Sequence, residues 1–344
     1  MKRKVVTGLA VQSEKYGIGH AARLNSLLNA TKESGWSPNQ FDLIPLVTNQ
    51  AQLSKLITEI EGSDCLILDV DPRFVEENLD LLDYLLGTVN QTNCALVLFD
   101  SGTNFPIREA ISRIQFDLSI CPYGPPGVQI TKDEIVGFGA TIFDASLETF
   151  RDNHWDCHRE PFNFLIACGG SDPFNVSTLY LRALNHLPSQ ELLISIVKGP
   201  HFLKSNLVQL MSEVKGSKHK IQFIDSPSNL ASSYSQVDIA LVTGGLTRNE
   251  VLYLGIPSVV TDLNFDQEVS TQFFESAECL LRAGTCSQSD EVLIQNMKTK
   301  ILKLKNSPFL RETMSRNARL LMPGGGSELI IKEIEQICIR KSQD

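Results

Sequence analysis

Apolar runs of strand length alternate with amphipathic stretches of helix length along nearly all of the chain. In the first half, 5–11, 41–45, 65–70, 95–100 and 118–121 read as strands, with helical patterns over 23–33, 51–61, 79–90 and 108–114 between them. This is βαβ punctuation. A looser polar passage over 146–162 breaks the rhythm and reads as a linker. Alternation then resumes, with strands over 163–167, 192–197, 220–224, 239–242 and 258–261 and helices over 177–185, 203–214, 230–235, 249–254 and 267–276. The tail carries a helical stretch over 290–304, a break at Pro323-Gly324-Gly325-Gly326, and a final amphipathic helix from Ser327 to about Arg340. The expected class is α/β, with two doubly wound parallel-sheet domains over 1–155 and 156–326. The helical tail, 327–344, is expected to pack back on the first domain.

Composition narrows the partners. A chain of 344 residues is long enough for two domains that each bury a core. With 40 acidic against 31 basic residues the formal charge is −9, which disfavours nucleic acid or an anionic membrane surface as the main partner. An anionic ligand would need local positive groups. The apolar runs are too short to span a bilayer, so no stable membrane insertion is expected. Met1 to Lys4 and the short apolar run after them imitate a signal peptide only faintly, and read instead as the approach to a first strand. The eight cysteines are scattered, with Cys65, Cys94, Cys121 and Cys168 in apolar stretches, which fits reduced core thiols and a cytoplasmic setting.

In open α/β sheets the ligand lies beyond the carboxyl ends of the strands. The loop after the first strand places Gly17 and Gly19, then His20 and Arg23, at the start of a helix. An imidazole there suits general base work, and its plainer alternative is a capping or core histidine. Arg23, on the same helix face, suits either a structural carboxylate or an anionic ligand group. Further along, a buried strand runs into Thr243-Gly244-Gly245, where backbone N–H groups could close on a phosphate at the start of a helix. Glu250, about one and a half turns on, could reach a ribose diol. The alternative is that the two glycines simply make a tight strand-to-helix turn. Asp69, Asp71 and Asp100 fall at strand ends, where they could touch a ligand or assist His20, although caps and turns are the commoner use of such residues. His154 and His158 with Cys157 offer only three candidate ligands in a linker, so no metal is assigned. Ser171 lacks the G-x-S-x-G elbow of a serine hydrolase.

The segment Gly17-Ile18-Gly19-His20-Ala21-Ala22-Arg23 resembles the G-x-G-H-x-x-R opening of the UDP-sugar hydrolases of pseudaminic acid biosynthesis. In the same order, Cys168-Gly169-Gly170-Ser171-Asp172-Pro173 is similar to that family's G-G-S-D-P turn, and Lys198-Gly199-Pro200 to its next strand-end turn. Thr243-Gly244-Gly245-Leu246-Thr247 to Glu250 and Leu254-Gly255-Ile256-Pro257 resemble its G-G-x-T-x-x-E and L-G-x-P segments. The second half is also similar to the N-acetylglucosaminyltransferase of peptidoglycan synthesis.

The resemblance implies a GT-B architecture, two Rossmann-like domains facing a central cleft, with UDP held mainly by the C-terminal domain. It implies attack of water, activated by His20, at the anomeric carbon of a UDP-linked amino sugar in surface-glycan or nonulosonic-acid biosynthesis. Gly169, Gly170 and Ser171 would line the diphosphate edge, N–H groups near Gly244 and Gly245 would stabilise the departing charge, and Glu250 would bind ribose. Lys198 and Arg248 are candidate phosphate partners, and Asp266-Gln267 stands where the family has an N-Q pair that contacts sugar or diphosphate. No cofactor is implied. An inverting glycosyltransferase is the first alternative, and a non-catalytic nucleotide-sugar-binding protein the second. The chain departs from the family pattern at Ala10-Val11-Gln12-Ser13, at Arg248-Asn249 and after Gly324-Gly325-Gly326-Ser327-Glu328, which marks a divergent member.

Overall fold

The computed structural model describes residues 3–13, 15–47, 49–89, 92–100, 107–123, 129–151, 160, 162–188, 191–225 and 231–343. The chain divides into two compact units, 1–145 with 324–344, and 146–323.

In the first unit, β1 (Val5–Ala10), α1 (Gly19–Glu33), β2 (Ser37–Asp42), α2 (Gln50–Glu61) and β3 (Cys65–Asp69) are followed by α3 (Pro72–Glu77), α4 (Leu79–Val89) and β4 (Ala95–Phe99). Then come α5 (Ile107–Ala110), β5 (Leu118–Cys121), β6 (Gln129–Ile130) and β7 (Glu134–Val136). The sheet order is β2-β1-β3-β4-β5-β7-β6, parallel except for the antiparallel pair of β6 with β7. That hairpin departs from the expected all-parallel sheet. Both residues of β6 are exposed, so no apolar run marks it in the sequence.

Successive strand residues alternate faces, and here both faces are covered. Leu9, Leu66, Leu68, Leu96 and Leu98 pack with Leu56, Ile60, Leu82 and Leu85 from α2 and α4. Val6, Cys65, Ile67, Val97 and Phe99 pack on the other side with Leu24, Leu27 and Leu28 of α1.

The second unit comprises α6 (Ala145–Arg151), β8 (Asn163–Ala167), α7 (Val176–Asn185), β9 (Leu193–Lys198), α8 (Lys204–Lys215), β10 (Lys220–Asp225) and α9 (Ala231–Tyr234). It continues through β11 (Ile239–Thr243), α10 (Leu246–Leu254), β12 (Ser258–Asp262), α11 (Phe265–Ser276), β13 (Leu281–Thr285), α12 (Asp290–Asn306) and α13 (Pro308–Leu321). The order β10-β9-β8-β11-β12-β13 is parallel throughout. The closing helix, α14 (Gly326–Lys341), belongs to the first unit and sets Ile330, Ile331, Ile334 and Ile337 into the α1 side of that core.

The polar passage read as a linker opens with α6 rather than with loop. Arg151 ties that helix down, donating to the carbonyls of Tyr253 at 2.7 Å and Met322 at 2.9 Å and lying 4.2 Å from the centre of the Tyr253 ring. Residues 152–159 and 161, with His154, Cys157 and His158, lie outside the described residues. Among the described residues no helix is long and apolar enough to cross a membrane.

Just before β10, His219 is buried with both ring nitrogens in use. Nδ1 accepts from Leu192 N at 3.3 Å, which leaves Nε2 to donate to Leu184 O at 3.1 Å. Burial pushes its pKa below 6.5. The unfolded chain therefore takes up the proton first, so stability is full above about pH 6.5 and falls as the pH drops toward the folded-state value. We expect the urea midpoint of the wild type to fall more steeply below pH 6.5 than that of His219→Gln, with equal slopes refuting this account.

Candidate functional site

The first unit gathers its chemistry at the carboxyl ends of β1, β3 and β4. The loop after β1 closes on itself through Ser13 N to Gly17 O at 3.2 Å and Gly17 N to Ser13 O at 2.8 Å, with Gly17 at φ +76°. A side chain is strained in that left-handed conformation, and glycine is not. α1 begins at Gly19, which places His20 in its first turn.

His20 Nδ1 lies 2.8 Å from Asp69 Oδ1. Asp69 is fully buried at the end of β3 and also accepts two bonds from Arg23, Nε to Oδ2 at 2.7 Å and Nη2 to Oδ1 at 2.6 Å. Burial alone would raise this carboxyl, but the adjacent Arg23 guanidinium outweighs it and holds Asp69 below the usual range. An ionised carboxylate only accepts hydrogen bonds, so the proton of a neutral His20 sits on Nδ1 and the lone pair on Nε2. Nε2 lies 4.0 Å from Asp71 Oδ2. The ring keeps 16% of its surface accessible.

Arg23 is buried, bidentate to Asp69, 3.3 Å from the Tyr123 hydroxyl and 4.9 Å from the Phe99 ring centre, so its observed work is to hold Asp69. Asp71 caps α3 through Arg73 N at 2.9 Å, and Asp100 accepts from Ile107 N at 2.9 Å. These two aspartates serve as caps. Of the three strand-end aspartates, Asp69 alone bonds the imidazole.

In the second unit, β11 runs into Gly244 and Gly245, and Gly245 caps α10. A Cβ on Gly244 would sit 2.8 Å from Asp262 Oδ1 and 2.9 Å from Gln267 Cβ, whereas the nearest atom to one on Gly245 is 3.9 Å away. Gly244 is therefore fixed by packing, whereas Gly245 has room for a side chain in ordinary contact with Gln267. The structure corrects one expectation: Gly244 N–H donates to Thr261 O at 3.2 Å and is used by the sheet. The N–H groups of Gly245, Leu246 and Thr247 have no acceptor among the described residues, as first-turn donors of a helix commonly do not. They converge with the positive end of the helix dipole.

Gln267 borders this turn. Its Oε1 accepts from Leu263 N at 2.9 Å, which turns Nε2 toward Gly245. Asn264 caps α11 by accepting from Gln267 N at 3.0 Å, and Asp266 is exposed beside it. Beneath lies Asp262, fully buried, accepting from Thr271 Oγ1 and Arg282 Nε, each at 2.6 Å. Burial raises its carboxyl in spite of Arg282. Glu250 accepts from the Tyr234 hydroxyl at 2.5 Å.

Arg248 is not a solvated loop charge. It is wholly buried, bonded to Asn249 Oδ1, Ser270 Oγ and Thr271 Oγ1, and 5.0 Å from the Phe274 ring centre. Lys198 pairs with Asp225. At the other glycine turn, Gly169 has φ +80°, and a Cβ on Gly199 would fall 2.2 Å from Gly170 O, whose carbonyl accepts from His201 N at 2.9 Å. Ser171 is half-buried beside Asp172, which caps α7 through Val176 N at 2.7 Å and Ser177 N at 3.0 Å. Sequence reasoning missed Asp262 and Tyr234. Asp262 ends its strand as Asp69 does, a signal that was available; Tyr234 carries none.

No family model matches the sequence. The chain is 24% identical over 333 residues, 90% of its length and 91% of the relative's, to the spore coat polysaccharide biosynthesis protein SpsG of Bacillus subtilis. Among solved structures, MurG of Acinetobacter baumannii is similar with a TM-score of 0.60 at 15% identity, covering 97% of this chain and 99% of that one. The MnaA of S. aureus, solved with UDP, gives 0.60 at 14% identity over 96% of both chains. The chain has a GT-B fold. A third GT-B neighbour, the UDP-GlcNAc 2-epimerase of Neisseria meningitidis bound to UDP-GlcNAc, gives 0.57 at 15% identity, covering 97% and 100%.

Three substitutions test this geometry. Arg23→Met leaves Asp69 buried without its cation and should cost about 3–5 kcal/mol of stability, read by denaturant unfolding. Gly244→Ala drives a methyl into Asp262 and Gln267 and should cost about 1–3 kcal/mol, whereas Gly245→Ala should cost less than that in the same assay.

Proposed function

We propose that this protein acts on a UDP-sugar in polysaccharide biosynthesis, transferring the sugar to an acceptor hydroxyl with UDP as the leaving group. The observation that carries this reading is the start of α10, where three backbone donors without acceptors among the described residues stand beside the Gln267 amide and ahead of Glu250. SpsG, by name a spore coat polysaccharide biosynthesis protein, supports the pathway class, and the epimerase and MnaA support a UDP-linked ligand.

In this scheme the second unit holds the nucleotide. N–H groups of Gly245, Leu246 and Thr247 and the Gln267 amide take the diphosphate, and Glu250 takes the ribose diol. His20 Nε2 removes the proton from the attacking hydroxyl as its oxygen bonds the anomeric carbon. The bond from that carbon to the β-phosphate oxygen breaks, and the charge left on UDP is met by the helix N-terminus. Asp69 stabilises the imidazolium so formed. Gly17 and Gly19 shape the loop that delivers His20, and Gly169, Gly170 and Ser171 leave room for the ligand's approach.

Hydrolysis differs only in using water as the nucleophile. It is the second reading, favoured by the match of residues 17–23 to the G-x-G-H-x-x-R opening, and it rests on the motifs alone. Transfer is supported by similar solved structures that are glycosyltransferases, among them the spinosyn rhamnosyltransferase SpnG. A panel of UDP-hexosamines, incubated with and without oligosaccharide acceptors, distinguishes the two. UDP release that requires acceptor means transfer, and equal release of UDP and free sugar without acceptor means hydrolysis. In either case His20→Ala should lower the rate by about 10²- to 10⁴-fold while leaving UDP affinity unchanged. Failure of every UDP-sugar to bind would overturn the reading.

A further inference from the structure

We propose that Tyr234 is a positioning residue for Glu250, and that the pair makes the second unit prefer a ribose over a 2′-deoxyribose nucleoside diphosphate. The inference rests on the nucleotide reading above and adds to it a residue with no part in the sequence motifs.

Tyr234 is the last residue of α9, and its side chain is buried. Its hydroxyl donates to Oε2 of Glu250 across 2.5 Å. Contacts of about 2.5–2.7 Å between a hydroxyl and a carboxylate mark the strong, charge-assisted class of hydrogen bond. Burial first, and the Glu250 charge second, push the phenol well above its ordinary pKa, so the hydroxyl keeps its proton and remains a donor.

A carboxylate recognises a vicinal diol by accepting from both hydroxyls, which demands a defined carboxylate plane. A glutamate side chain has several rotatable bonds, and fixing them on binding weakens affinity unless the protein has fixed them beforehand. α10 fixes the Glu250 backbone, and Tyr234 fixes the far end of its side chain. A ligand that lacks the 2′-hydroxyl would forgo one of the two hydrogen bonds to this aligned carboxylate, and loss of a hydrogen bond of that kind discriminates more strongly than loss of apolar contact. Glu250 is only half-buried, so water can replace the phenol when Tyr234→Phe removes one oxygen, and the variant is expected to fold.

The test is calorimetric titration of the full chain with UDP and with 2′-deoxy-UDP, with the ratio of the two Kd values as the readout. The wild type should favour UDP, and Tyr234→Phe should still bind UDP but with the ratio reduced about three- to tenfold. Glu250→Gln should also reduce the ratio, and the double variant should be no worse than Glu250→Gln alone. A merely structural role for Tyr234 would weaken both ligands equally. An unchanged ratio in Tyr234→Phe beside a reduced one in Glu250→Gln overturns the role of Tyr234 and leaves the nucleotide reading standing. A wild type that binds neither ligand overturns both.

Discussion

A carboxylate shut away from water has to be answered inside the protein, and Asp69 is answered by Arg23 on one side and His20 on the other. The cost of burying an ion makes this arrangement all or nothing: a partly matched Asp69 would protonate, and the proton on His20 would no longer be assigned to one nitrogen. The free lone pair on Nε2 of a neutral His20 is thus a consequence of how β3 ends. The second unit uses the same device at the end of β12, where Asp262 is met by Arg282 and Thr271. There the result is mechanical: the carboxylate forms the floor against which Gly244 and Gln267 are set.

The strands with strong apolar runs could be read from the sequence because a parallel sheet covered on both faces leaves few polar positions. Among the elements that escaped notice are three where this condition lapses. β6 is an exposed edge, β13 carries Arg282 and Gly284 inside five residues, and α6 is held by one arginine and its carbonyl partners rather than by a wide apolar stripe. Spacing alone could point to His20, Glu250 and the two glycine turns, because those positions follow strand ends. It could not assign Gly244 N–H to Thr261, nor see that Arg248 lies in the core. Hydrogen-bond partners and depth are set by residues far away in the chain.

The motifs and the comparisons pull on different parts of the reaction. The loop around His20 resembles a hydrolase opening, while the whole-chain relative and the solved neighbours belong with glycan synthesis, glycosyl transfer and epimerisation. On the proposed reading they agree on a UDP-linked ligand and differ on what attacks it. That division has a physical basis: in the proposed scheme a diphosphate and a ribose are recognised by backbone donors and one carboxylate, whereas the choice of nucleophile depends on what else can reach the same carbon.

The glycines also differ in what keeps them. Gly199 presses on Gly170, and Gly244 presses on Asp262 and Gln267; neither has room for a side chain whether or not a ligand is present. Gly245 has no such neighbour. On the proposed reading, drift in a descendant that had lost the ligand would replace Gly245 early and leave Gly199 and Gly244 in place, so the residue at 245 would record use of the site, while the other two record only that the fold survives.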